Sequence, residues 1–183
     1  MSDDTSWIFL QLDDKNARRS GMPAQVPLQK RDMELVADGG LTAALARRSI
    51  GAFLREAPSS WRAQNAALAA RFDVYVGKSM YSDRAEAAAA KGDLDATVSA
   101  LGMIARLDKE DHGARMNLGV AYARKGDFAS ARRELDAIEA TFEGDAAYHT
   151  MRGNVLLALE DTDAALEQFV LALEADPESK QAL

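Results

Sequence analysis

Leu118-Gly119-Val120-Ala121-Tyr122-Ala123-Arg124-Lys125-Gly126-Asp127-Phe128-Ala129-Ser130-Ala131-Arg132-Arg133-Glu134-Leu135 is the stretch on which the reading of this chain turns. It reads as two amphipathic helices broken at a Gly-Asp pair. Gly tolerates the left-handed turn that ends one helix, and Asp can accept from the free amides that open the next. The landmarks return at one fixed interval. The step from Gly119 to Gly153 is the step from Ala131 to Ala165 and from Leu135 to Phe169. Leu101 and Ile104 precede Leu135 and Ile138 by that same step. The turn repeats as well: Lys91-Gly92-Asp93-Leu94 becomes Lys125-Gly126-Asp127-Phe128, then Leu159-Glu160-Asp161-Thr162, where only the Asp survives.

A helix pair repeated at this interval resembles the tetratricopeptide-repeat (TPR) family, whose pattern runs Leu-Gly, an aromatic, a small Ala, a large apolar residue and a late Pro. Residues 112–145 supply Leu118-Gly119, Tyr122, Ala131 and Leu135, and residues 146–179 supply Gly153, Ala165, Phe169 and Pro177. Residues 78–111 carry weaker substitutes, with Ala85 for the Gly, Ala88 for the aromatic and Thr97 for the Ala. Arg115 and His149 stand where the family has its early Trp. The resemblance implies an all-α, right-handed solenoid in which each pair shares its apolar seam with its neighbours.

One further step upstream, Ile50-Gly51, Leu54 and Ala63 fall on the same phase, and Pro58-Ser59-Ser60 supplies a turn. The expected organisation is an N-terminal arm and lead-in helix over 1–43, a divergent repeat over 44–77, repeats over 78–111, 112–145 and 146–179, and a tail over 180–183. In the arm, Trp7, Ile8, Phe9 and Leu10 form an apolar knot that is expected to dock, against the first helices or on a second copy of the chain. Pro23 and Pro27 argue for extended chain, and a helix is expected to resume near Asp32 and to break at Gly39-Gly40.

Composition narrows the chemistry. None of the 183 residues is Cys, which removes disulfides, thiolate catalysis and Cys-based zinc. The net charge of −7 is uneven: residues 1–77 carry 10 basic and 9 acidic side chains, residues 78–183 carry 12 and 20. An acidic second half disfavours nucleic acid and anionic membrane as partners. No apolar run approaches spanning length, and the acidic N-terminus lacks a basic leader, so a cytoplasmic protein is expected. No phosphate loop, dinucleotide fingerprint, zinc-protease or nucleophile-elbow motif is present, so no catalytic residue, cofactor or metal site is expected. His112 and His149 read as packing or surface residues, and Asp161-Thr162-Asp163 as a helix cap.

Function is therefore expected on the surface lined by the first helix of each pair. By the resemblance, the groove falls to Met116, Asn117, Val120 and Arg124, with Met151, Asn154 and Leu157 in the next repeat. TPR co-chaperones hold acidic tails with Lys, Asn and Arg, but here Ser82, Glu86, Ala147 and Met151 occupy several of those places. The groove is thus expected to take a protein segment with apolar anchors, as a non-catalytic adaptor or scaffold. Two other readings stand beside it. One is the recognition domain of a larger protein-modifying enzyme. The other is a secretion chaperone similar to the small, acidic, three-repeat chaperones of type III translocators.

Overall fold

The computed structural model describes residues 6–13, 15–17 and 21–177. The tail expected over 180–183 lies outside them. The chain forms two compact units, Met1–Met80 and Tyr81–Leu183.

In the first unit, β1 (Trp7–Gln11) pairs antiparallel with β2 (Gln25–Gln29), with Trp7 opposite Gln29 and Phe9 opposite Pro27. Pro27 can sit in a strand because a two-stranded sheet offers an edge on which its missing N–H is not needed. Helix α1 (Lys30–Gly39) follows directly, then α2 (Ala43–Glu56), capped by the Thr42 hydroxyl accepting from the Leu45 amide at 3.2 Å. A short α3 (Ser59–Gln64) breaks at Asn65, whose side-chain amide donates to the Trp61 carbonyl, and α4 (Ala66–Ala90) then runs for 25 residues. The boundary between the units falls within α4.

Phe53 is the hub of this unit. Its ring meets Trp7, Phe9, Trp61 and Phe72 edge-to-face at centroid distances of 5.2, 5.3, 4.6 and 6.2 Å, geometry in which positive ring edges face negative ring faces. Val26, Leu28, Ala46, Ile50 and Phe72 complete the buried cluster, and Ser49 donates its hydroxyl to the Pro27 carbonyl. The arm therefore docks on its own first helices through Trp7, Phe9 and Leu10. Ile8 is a correction to the expectation: it is 43 % exposed and does not belong to the buried cluster.

The second unit comprises the end of α4, α5 (Leu94–Leu107), α6 (His112–Lys125), α7 (Phe128–Asp136), a single 3₁₀ turn (Glu139–Thr141), α8 (Ala146–Ala158) and α9 (Thr162–Ala175). Among the described residues from 42 to 176 there is no strand, as the period implied. One expected boundary is not marked by a turn, and one helix is short. No turn falls at 77/78, because α4 holds neither Pro nor a Gly-Asp pair and its Ala-rich composition propagates helix through Gly77. Helix α7 stops after nine residues, and the Arg152 guanidinium ties its last residue, Asp136, to Glu139 beyond it.

The repeat landmarks do the work their residue types suggest. A Cβ on Gly119 would stand 3.1 Å from the Leu135 side chain, and one on Gly153 would fall 2.5–2.9 Å from the Phe169 ring. Ala131 and Ala165 are buried. Asp93, Asp111, Asp127 and Asp145 each accept from the amide three residues on, capping α5, α6, α7 and α8. Asp161, at the same phase, instead faces Arg132 at 3.5 Å. Where the family pattern has Trp, polar pairs cross between helices: Arg115 bonds Glu134 at 3.0 Å, and one repeat later His149 bonds Gln168 at 2.9 Å.

Gly92 and Gly126 adopt φ of 73° and 83°, and at the third turn Glu160 keeps the left-handed conformation with φ 63°. A side chain there crowds the neighbouring carbonyl at a cost of roughly 1–2 kcal/mol. Glu160→Gly is expected to stabilise the protein by about 0.5–1 kcal/mol in denaturant unfolding, whereas Gly126→Glu should destabilise it by a similar amount.

Tyr148 is fully buried and donates its hydroxyl to the Leu135 carbonyl at 2.9 Å. Its pKa is pushed up to about 12, chiefly by loss of water around the phenol. The unfolded chain releases this proton near pH 10 and the folded protein only near 12. The associated stability is complete below pH 10 and is lost as pH rises towards 12, by roughly 3 kcal/mol. Ultraviolet titration of phenolate absorbance should show one tyrosine ionising last, and Tyr148→Phe should abolish that step.

Candidate functional site

A concave surface of about 590 Å³ opens between the last turns of α4, the start of α5 and the outer face of α6. Its walls are apolar and small: Ala85 and Ala89 from α4, Leu94 and Leu101 from α5, Val120 and Ala121 from α6. Polar groups enter from Glu86, Thr97, Asn117 and Arg124. The Thr97 hydroxyl is already donated to the Asp93 carbonyl at 2.7 Å, so it orders the α5 cap rather than the opening. Asn117, Val120 and Arg124 lie at i, i+3 and i+7 on α6 and so share one helical face.

The close Gly119–Leu135 approach makes that face available. Because α7 packs on α6 at Gly119, the side of α6 bearing Asn117 and Arg124 stays exposed to solvent. The αL turn at Gly126 and the Asp127 cap send the chain directly into α7 and away from the opening.

Of the seven groove residues expected from sequence, the structure brings Asn117, Val120 and Arg124 to this surface. Met116 and Met151 are half-buried and pack against the cluster of Ala131, Leu135, Ile138, Tyr148 and Val155. Asn154 and Leu157 are exposed on α8 but do not line the opening. Leu94, Leu101, Ala85 and Ala89 line it without having been singled out, and their signal was available: they flank the Gly92-Asp93 turn at the phase that packs on α6. The chemistry on offer is an amide, a guanidinium and a carboxylate set around a small apolar floor. That set can hydrogen-bond a polypeptide backbone and take small apolar side chains. No group of three or more His, Asp or Glu among the described residues is arranged to hold a metal ion. No helix among them is long and apolar enough to cross a membrane.

Comparison with known proteins bears on the second unit above all. The tetratricopeptide-repeat family matches over residues 88–155 and again over 146–179. A search of curated protein sequences finds no match. Among solved structures, the first TPR domain of Spaghetti (RPAP3) bound to an HSP90 peptide superposes with a TM-score of 0.54 at 19 % identity, covering 58 % of this chain and 84 % of that one. MamA superposes with a TM-score of 0.50 at 17 % identity over 85 % of this chain and 79 % of its own. The Thermobaculum terrenum O-GlcNAc transferase gives a TM-score of 0.52 at 25 % identity, covering 60 % of this chain but 21 % of that protein.

Met151→Ala should therefore act on stability, lowering it by roughly 1–2 kcal/mol as a half-buried core contact is lost. Asn154→Ala, on the exposed side of the same helix, should leave the unfolding midpoint unchanged. Equal midpoints for the two variants in chemical denaturation would remove Met151 from the core.

Proposed function

The chain belongs to the tetratricopeptide-repeat family, and from that premise we propose that it is a non-catalytic adaptor holding a segment of a partner protein on the α4–α5–α6 surface. The observation that carries the reading is the shared face of Asn117, Val120 and Arg124 over the apolar floor. Asn117 supplies a donor and an acceptor for a peptide backbone, and Val120 with Leu94 and Leu101 receives small apolar side chains. The RPAP3 domain, held with an HSP90 peptide, supports peptide binding as a use of this fold. The proposed partner differs in kind: Glu86 lines the opening together with Arg124, so a carboxylate-rich tail would meet a like charge there. The proposed partner segment has apolar anchors and little negative charge.

A second reading, the recognition part of a larger enzyme, is favoured by the transferase likeness, which covers about a fifth of that protein. Immunoblotting the native protein separates the two, since the enzyme reading requires a species much heavier than 19.8 kDa.

The test of the adaptor reading is fluorescence anisotropy with two labelled probes, an apolar-anchored uncharged peptide and an acidic peptide ending in a free carboxylate. The apolar probe should bind more tightly. Asn117→Ala with Arg124→Ala should weaken it by roughly 2 kcal/mol if the pair forms a hot spot, with an unchanged melt because both side chains are exposed. Tighter binding of the acidic probe, or indifference to the double variant, would sink the proposal.

A further inference from the structure

The repeat period gives meaning to an apolar patch at the far end of the second unit. Leu157, Leu166 and Val170 are 51 %, 63 % and 46 % exposed. Their counterparts one repeat upstream are Ala123, Arg132 and Asp136, which lie at the seam with the repeat that follows. Ala123 packs on the cluster that joins Ala131, Leu135 and Ile138 of its own repeat to Tyr148 and Val155 of the next. Arg132 faces Asp161 at 3.5 Å, and Asp136 takes the Arg152 guanidinium at 3.0 Å. The patch thus occupies the positions on which one helix pair carries the next, with ion-pairing residues replaced by Leu and Val. Leu166 and Val170 are one turn apart and present a single stripe of α9.

The charge around the stripe specifies what can lie on it. From Gly153 to Pro177 the chain carries six carboxylates and no Lys or Arg. Glu174 continues the Leu166–Val170 row, and Asp163 and Glu167 form the row beside it. We propose that this end face is a second docking surface, which receives an amphipathic helix of a partner protein whose apolar stripe is flanked by Lys or Arg. A two-fold pairing of α9 with α9 from a second copy would bring these carboxylates together, a like-charge juxtaposition that opposes association. The proposal is independent of the α4–α5–α6 surface, which lies on other helices.

The experiment titrates the full chain with two labelled synthetic helical peptides that share one Leu stripe, one flanked by Lys and the other by Glu. The Lys-flanked peptide should bind at least about tenfold more tightly. Leu166→Ser with Val170→Ser, which keeps every carboxylate, should weaken it about tenfold, as expected for apolar anchors. Glu167→Lys with Glu174→Lys should reverse the preference between the peptides, and decides the matter if the Ser variant does not fold. Asn117→Ala with Arg124→Ala should leave this binding intact while weakening that of the uncharged peptide, so the two surfaces fail or succeed separately. Three outcomes overturn the proposal: equal affinity for both peptides, binding insensitive to the Leu166 and Val170 changes, or Leu166-dependent self-association in sedimentation, which would make a second copy the occupant.

Discussion

Gly119 against Leu135, and Gly153 against Phe169, are the contacts on which the second unit depends. A helix pair can close to this distance only where one backbone presents no side chain, and at both places an added Cβ would meet the partner's apolar group at 3.1 Å or less. The large residue then fills the space the glycine leaves, and Ala131 and Ala165 keep the opposing helix equally close. The choice of which helical face is buried follows. With Leu118, Gly119 and Ala121 turned inward, Asn117 and Arg124 must point out, and the candidate groove is built on that outward surface.

The same pairs show how a repeat family can lose a signature residue and keep its geometry. The place of the early Trp is taken by Arg115 in one repeat and His149 in the next, and each reaches across to a polar partner on the second helix. His149 is buried with both ring nitrogens engaged, by Gln168 and by the Glu143 carbonyl. A satisfied polar pair crosslinks the two helices where an indole would have filled volume. Tyr148 adds a third link through its hydroxyl to Leu135, the residue that also covers Gly119.

Much of this is legible in the residues because it rests on local rules at a fixed period. Asp at the caps, Gly at the αL turns and small residues at close approaches each have one physical use, so their regular recurrence reveals the helix pairs directly. What escapes is non-local. The pairing of Trp7–Gln11 with Gln25–Gln29 joins segments that residues 12–24 hold apart in the chain, and Pro27 announces extended chain without naming its partner strand. Ile8 departs from expectation because an apolar run in sequence does not say which of its members reaches the core: Trp7, Phe9 and Leu10 do, and Ile8 stays exposed. Met116 and Met151 depart for a related reason: helical phase places them near the exposed face, but an unbranched thioether can bend back onto a neighbouring core, and both do. The third turn shows the reverse case, since Glu160 hides a left-handed residue that the backbone retains.

The charge of the second half takes on a definite form once the ion pairs are placed. Several of its cations are bound to carboxylates within the unit: Arg115 to Glu134, Lys125 to Asp95, Arg132 to Asp136 and Asp161, Arg152 to Asp136 and Glu139. Apart from the Arg132–Asp136 pair within α7, these pairs neutralise charge between one element and another, and leave the excess carboxylates elsewhere on the unit. The field is therefore unevenly distributed. It is mixed at the α4–α5–α6 surface, which both Glu86 and Arg124 line, and uniformly negative along α9. Two surfaces of one small repeat array thus differ in the charge they present, although the same periodic packing rule builds both.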